Sequence, residues 1–325
     1  MIEATKYAHA NTIVTIGDKN YLWGIFLLIA SARKAGMAEK FLVGAKGFTP
    51  TAEHVLEQLG EVEIVSLDGV GRSLTCLKPN VMLRAQTEFV TWADSDGFFT
   101  GNVSDILPPD SPDEIHFRLR TPMEMPAAFK GHAFGESGTR IPAAVLDAWR
   151  HDVADVAGGT TDAPRYETSG SAAFCSLSLS RHRRFLEIWD ALQAKVLPER
   201  DVGVVDRSLK YYHQLDESTL NACLNFTPDA PRVQPVFRMN KHRDRLFVHF
   251  ISQPKPWTGW TRRSFRFFDE YVAVAEWAAA KGFELPTPLP RCLRASSKSL
   301  ARALIPWMTL KPKIVKRLKR FRHET

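Results

Sequence analysis

Between Asn11 and Ala93, short runs rich in β-branched and aromatic residues alternate with stretches of helical character. Asn11 to Ile16, Phe41 to Val43, Glu61 to Val65 and Glu88 to Ala93 read as strands. The first is closed by Gly17-Asp18-Lys19-Asn20, and a helix from Tyr21 to Ala35 follows, stopping near Gly36. Pro50 opens a second helix through Leu59, and Lys78-Pro79 leads into a helical segment from Asn80 to Gln86. Such alternation predicts an α/β fold with a largely parallel, doubly wound, Rossmann-like sheet. In such sheets ligands bind beyond the carboxyl ends of the strands. Residues 1–107 are therefore expected to form a nucleotide-binding half.

The fourth strand runs straight into Asp94-Ser95-Asp96. Side chains at i and i+2 of an extended chain point the same way, so both carboxylates face one spot. They repel unless a cation sits between them, and hard oxygen ligands suit Mg2+ or Mn2+ with a phosphate-bearing partner. On this reading the empty site gains nothing from its acids, and Asp→Asn changes leave the stability of the metal-free protein nearly unchanged. The plainer alternative is a solvated turn in which two of 36 acidic residues happen to fall at this spacing.

The rest of the chain is less regular. Residues 108–164 are rich in Pro and Gly, with only Ile141 to Arg150 helical in pattern, and are expected to form substrate-binding surface. Thr168-Ser169-Gly170 precedes a strand from Ser171 to Leu179, followed by an amphipathic helix from Phe185 to Ala194. Asp216 reads as the N-cap of a short helix from Glu217 to Leu224. Arg232 to Phe237 and Leu246 to Phe250 read as strands, and Phe265 to Ala280 as an amphipathic helix. His249, at the end of its strand, is either a satisfied core histidine or a third metal ligand beside Asp94 and Asp96. Lys255, on the Pro-flanked segment that follows, is either solvated or a positive charge for a metal-held diphosphate.

These motifs together resemble the family 8 glycosyltransferases, over Asn11 to about Trp257 and in the family's order. Gly17-Asp18-Lys19-Asn20-Tyr21 looks like the first-strand segment that holds uracil and ribose, and Asp94-Ser95-Asp96 like the metal-binding Asp-x-Asp. Thr168-Ser169-Gly170 is similar to the Asn-Ser/Ala-Gly beside the donor sugar. Asp216-Glu217-Ser218-Thr219-Leu220-Asn221 resembles Asp-Gln-Asp-x-Leu-Asn, and His249 to Trp257 resembles His-x-x-Gly-x-x-Lys-Pro-Trp. Lys78 stands where the family has a basic residue near the donor phosphates. The resemblance implies a GT-A fold with a mixed central sheet and a retaining transfer of a hexose from a UDP-sugar to a glycan or glycolipid acceptor. It implies Mn2+ (or Mg2+) on Asp94, Asp96 and His249, and nucleotide-sugar contacts from Gly17, Asp18, Tyr21, Lys78, Ser95 and Lys255. Asp216 and Glu217 become the candidate catalytic pair, Asp216 on sugar hydroxyls and Glu217 where the family has Gln. Glu217 is then a nucleophile, an electrostatic support, or simply an acid at a helix N-terminus. Arg118, Arg120 and His132 are candidate acceptor contacts, each equally readable as a solvated loop residue. Thr168, Ser252 and Glu217 depart from the family pattern. The competing readings are a nucleotide-sugar pyrophosphatase, an inverting transferase, or an inactive sugar-nucleotide-binding scaffold.

Charge singles out the C-terminus. The whole chain carries +7, but Arg291 to Thr325 holds 11 Lys and Arg against Glu324 alone, leaving 32 basic and 35 acidic residues elsewhere. A basic isoelectric point thus does not describe the body, and no nucleic-acid partner is expected. Residues 1–285 read as the GT-A domain, with 108–285 its acceptor and donor-sugar half, and 286–325 as a Pro-rich linker and basic tail. Ile314, Leu318 and Phe321 form one apolar stripe on a basic helix from Lys311 to Phe321, with Trp307 upstream. The expected partner is an anionic membrane surface, the tail holding the protein peripherally on the cytoplasmic face of the membrane; a disordered solubilising tail or a nucleic-acid tether are the alternatives. The most apolar run, Tyr21 to Ala32, is shorter than the ~20 residues that span a bilayer. Met1 to Ala10 lacks a signal-peptide layout, and four scattered cysteines argue against a zinc cluster or disulfide framework.

Overall fold

A computed structural model of the chain describes residues 10–129, 138–199, 206, 208–235 and 246–321, with side chains given as far as 308 and at 310. The strands are β1 (Asn11–Asp18), β2 (Lys40–Lys46), β3 (Val62–Ser66), β4 (Phe89–Ala93), β5 (Gly97–Phe99), β6 (Glu114–Leu119), β7 (Gly170–Ser178), β8 (Arg232–Pro235) and β9 (Phe247–His249). The helices are α1 (Leu22–Lys34), α2 (Pro50–Glu57), α3 (Lys78–Met82), α4 (Met125–Ala128), α5 (Ala143–Ala157), α6 (Leu179–Val196), α7 (Asp216–Phe226), α8 (Phe268–Ala280) and α9 (Lys298–Phe321).

Seven strands form one sheet in the order β3-β2-β1-β4-β7-β6-β8. The four N-terminal strands run parallel, as their alternation with helices predicts. β7 then enters antiparallel between β4 and β6, so the sheet is mixed. Successive residues of a strand face opposite sides, and Ile13 and Val14 accordingly belong to two separate cores. One lies under α1, α2 and α8; the other lies under α3, α5, α6 and α7.

The second half holds more regular structure than its composition suggests. Strand β6 and helix α4 lie within the stretch read as irregular, and the helix expected over Ile141 to Arg150 is α5, which extends to Ala157. Polar residues inside β6 hide it from an apolar pattern. His116 is buried with hydrogen bonds to Leu107 O at 3.1 Å and Gln234 Oε1 at 2.8 Å, and Arg118 donates to both Glu124 oxygens. β8 ends at Pro235, and Phe237 lies outside the described residues.

A two-stranded ribbon completes the site's frame. β5 pairs antiparallel with β9, placing Gly97 directly opposite His249. The helix expected from Lys311 begins at Lys298 and runs unbroken to Phe321. The Pro-rich segment before it packs on the body: Thr287 Oγ1 accepts from Trp23 Nε1 at 2.9 Å, Cys292 O from Trp260 Nε1 at 2.8 Å, and Leu293 is fully buried. No described helix is long and apolar enough to cross a membrane.

Candidate active site

The carboxyl ends of β1 and β4 lie side by side because the two strands are parallel neighbours. Beyond β4 the chain turns through Asp94-Ser95-Asp96 into β5, with the Gly97 N–H donating to Asp94 O at 2.9 Å. The ribbon register then carries His249 over both acids. Its Nε2 lies 3.3 Å from Asp94 Oδ2 and 2.9 Å from Asp96 Oδ1. One ligand atom from each of the three falls within 4.8 Å of the others, close enough to share one ion. Two carboxylates and an imidazole are donors that Mn2+ or Mg2+ accepts.

Two buried lysines meet the same acids. Lys78 Nζ lies 2.7 Å from Asp94 Oδ1 and 2.8 Å from Asp216 Oδ2, donates to Ala172 O at 3.0 Å, and sits over the Trp92 ring. Lys255 Nζ donates to Asp96 Oδ2 and to Phe250 O. The acids therefore do not face each other bare, which corrects the expectation of an uncompensated carboxylate pair. Burial alone would lower the Lys78 pKa, but Asp216 and Asp94 outweigh it and hold the ammonium charged. With one ammonium serving two carboxylates, burial pushes Asp216 up to about 6 despite Lys78, and Asp94 adds to the rise. Burial likewise opposes the charged forms of Asp96 and His249, yet their attraction wins: Asp96 is held below the usual range and His249 above it.

α7 brings Asp216 and Glu217 to this end of the sheet. Leu215, fully buried, takes φ 50° just before the helix, a conformation that non-glycine residues hold only when packing enforces it. Glu217 Oε1 receives Arg120 Nη2 at 2.5 Å, and its Oε2 receives the Ala172 N–H at 3.3 Å. Arg120 Nη1 also donates to Ser169 Oγ at 2.9 Å and Gly170 O at 2.6 Å. Asn221 holds the same strand start, accepting from Gly170 N at 2.6 Å and donating to Gly170 O at 3.1 Å.

The remaining expected residues line the β1 side. Gly17 and Asp18 end β1, and the Asp18 carboxylate accepts from Asn20 N at 2.9 Å and Asn20 Nδ2 at 3.0 Å. Tyr21 stands edge-on to Trp257, whose indole N–H donates to Asn20 O at 3.1 Å. Burial, then Asp96 and Asp18, pushes the Tyr21 hydroxyl up to about 12. Ser95 is buried in the turn, its carbonyl against Gly24. Six of the expected residues, Asp94, Asp96, His249, Lys78, Lys255 and Asp216, are thus joined by ion pairs into one cluster. Trp92 was missed: its Nε1 donates to Asp94 Oδ1 at 2.8 Å, and its position two residues before Asp94, on the same strand face, was the available signal. Arg120 faces Glu217 rather than open solvent, whereas Arg118 turns to Glu124. His132 lies outside the described residues.

Solved structures share this architecture. The bifunctional glycosyltransferase WbbM matches at TM-score 0.53 and 14% identity, over 82% of this chain and 49% of that one. The chain thus spans about half the length of WbbM. The galactosyltransferase LgtC, solved in complex with donor and acceptor sugar analogs, matches at TM-score 0.52 and 14% identity, over 82% of this chain and 99% of its own. This is the GT-A fold. No protein-family model matches the chain, and no curated protein matches it by sequence. At such low identity the GT-A likeness concerns architecture; what the site does is read from its own residues.

Proposed function

We propose that the protein is a metal-dependent, retaining glycosyltransferase that moves a hexose from a UDP-sugar to a glycan or glycolipid acceptor. The observation that carries this reading is the convergence of Asp94, Asp96 and His249 on one point, ringed by Lys78, Lys255 and Asp216, at the carboxyl end of a GT-A sheet. LgtC, with the same fold, binds donor and acceptor sugar analogs. Asp94, Asp96 and His249 would hold Mn2+ or Mg2+, which supplies Lewis-acid neutralisation of a diphosphate leaving group.

The chain's own residues do the rest. Gly17, Asp18 and Tyr21, at the end of β1, form the wall for uracil and ribose. Lys255 fixes Asp96, and Lys78 ties Asp94 to Asp216, so one ammonium links the metal-facing acid to the helix start that would meet the sugar. In the transfer, the bond from the anomeric carbon to the diphosphate oxygen breaks with its electron pair going to UDP. The acceptor oxygen forms the new bond to that carbon, and its proton leaves with the phosphate oxygen. The Asp216 carboxylate, at the helix start, hydrogen-bonds sugar hydroxyls and balances positive charge on the ring.

The exposed apolar side chains of α9 extend the proposal to location. Leu300, Leu304, Trp307 and Leu310 are all solvent-exposed on a strongly basic helix. Residues 286–325 would hold the protein peripherally on the cytoplasmic face of an anionic membrane, with a glycolipid acceptor in reach. The direct test is a screen of UDP-sugars for Mn2+-dependent UDP release, with and without acceptor. The reading expects release that needs metal, is abolished in Asp94→Asn and Asp96→Asn, and yields a glycoside of unchanged anomeric configuration. Full activity in excess chelator would refute it.

A further inference from the structure

Glu217 sits one residue beyond Asp216, and a single ammonium group separates Asp216 from the metal-facing Asp94. A hexose joined to a diphosphate over Asp94 and Asp96 would therefore lie near the first turn of α7, which carries Asp216 and Glu217. An acid there, free on one oxygen, would be placed to attack the anomeric carbon. Glu217 is not free: Arg120 takes one oxygen and the Ala172 N–H the other. Arg120 is itself anchored by Ser169 Oγ and Gly170 O, and both side chains of the pair are largely buried.

We infer that Arg120 is a positioning residue that acts with Glu217 as one neutral unit, holding the carboxylate as a hydrogen-bonding wall of the sugar site and withholding it from nucleophilic attack. The inference rests on the function proposed above. Its physical basis is charge. Guanidinium on one oxygen and an amide N–H on the other stabilise the carboxylate's negative charge and fix its orientation, which lowers its nucleophilicity. As a pair, the two residues add no net charge beside the ring, where positive charge develops during transfer. Either one alone adds a buried, uncompensated charge. Retention then follows from transfer on the face of the departing diphosphate, with no covalent sugar on the enzyme.

A double-mutant cycle in the full chain tests this, with kcat and KM for the UDP-sugar measured per UDP-binding site. Glu217→Gln leaves the Arg120 cation beside the developing positive charge, and kcat is expected to fall about a hundredfold while KM changes little. Arg120→Met with Glu217→Gln restores neutrality and is expected to recover kcat to within about tenfold of wild type. Thermal melts of all variants run alongside. If the double variant stays as slow as Glu217→Gln, or if a glycosyl adduct on Glu217 is found by mass spectrometry of the wild type, the inference is overturned. Losses in kcat and KM that follow the melting temperatures, with no recovery per binding site, would reduce the pair to a structural role and overturn it as well. A wild-type protein that turns over no UDP-sugar would instead overturn the function reading, and this inference with it.

Discussion

At the scale of single residues, the site is a balance of buried charges in which each acid meets a basic partner. Asp96 carries Lys255 and His249 on its two oxygens, and Lys255 is almost fully buried. Asp96→Asn therefore strands a buried ammonium, and a loss of about 3 kcal/mol in unfolding free energy is expected by denaturant titration. Unchanged stability would restore the picture of two bare, repelling acids. His249 sets a pH dependence. In the metal-free protein its pKa is raised above 6.5, with burial opposing and Asp96 and Asp94 prevailing. Its contribution to stability is thus complete below the unfolded value of about 6.5 and fades as pH climbs through the folded one. Metal needs the neutral imidazole, so Mn2+ binding should tighten over that same rise, by up to about tenfold per pH unit, with one proton released. Calorimetry in buffers of different ionisation enthalpy counts that proton; pH-independent affinity would remove His249 from the ligand set.

At the scale of elements, strand starts and turns are held by close approach. A Cβ on Gly170 would lie 2.0 Å from the Phe117 ring and 2.7 Å from Arg118 O, so the start of β7 accepts only glycine there. Gly170→Ala must push β6 and β7 apart where Arg120 and Asn221 both grip the chain. The expected cost is about 1–3 kcal/mol of stability, with a larger fall in activity than in folded fraction. Wild-type turnover in that variant would mean that the β6–β7 junction does not shape the site. Gly24 does the same for α1, where a Cβ would stand 2.4 Å from Ser95 O and 2.6 Å from Trp257. The legible elements are those with an apolar period: strands β1 to β4, β7 and β9, and helices such as α1, α5, α7 and α8. β6 was not legible, because its polar side chains are satisfied by partners such as Gln234 that lie far along the chain.

At the scale of the whole molecule, the C-terminal segment is part body and part appendage. Leu293 and Ala301 are buried, Ile305 packs against the α8 core, and Met308 lies over Gly259, close behind Lys255 and Trp257. A cut after Pro290, where composition alone would divide the chain, removes these contacts and should lower the melting temperature by several degrees. A cut after Leu310 spares them and removes seven of the tail's basic residues. That shorter protein should melt with the full chain, turn over soluble acceptors, and lose most binding to anionic liposomes. Binding by the full chain should weaken as salt rises. Equal liposome binding by both proteins would refute the tail as anchor. The amino-acid sequence by itself determined the alternating α/β half, the carboxylate pair at a strand end and the segregation of basic charge, because each is written in neighbouring residues. Only the tertiary structure decided that Lys78 joins Asp94 to Asp216, that His249 closes over Asp96 and that Arg120 takes Glu217. Those contacts join residues from distant parts of the chain, and which charge meets which depends on strand register and on what burial forces to pair.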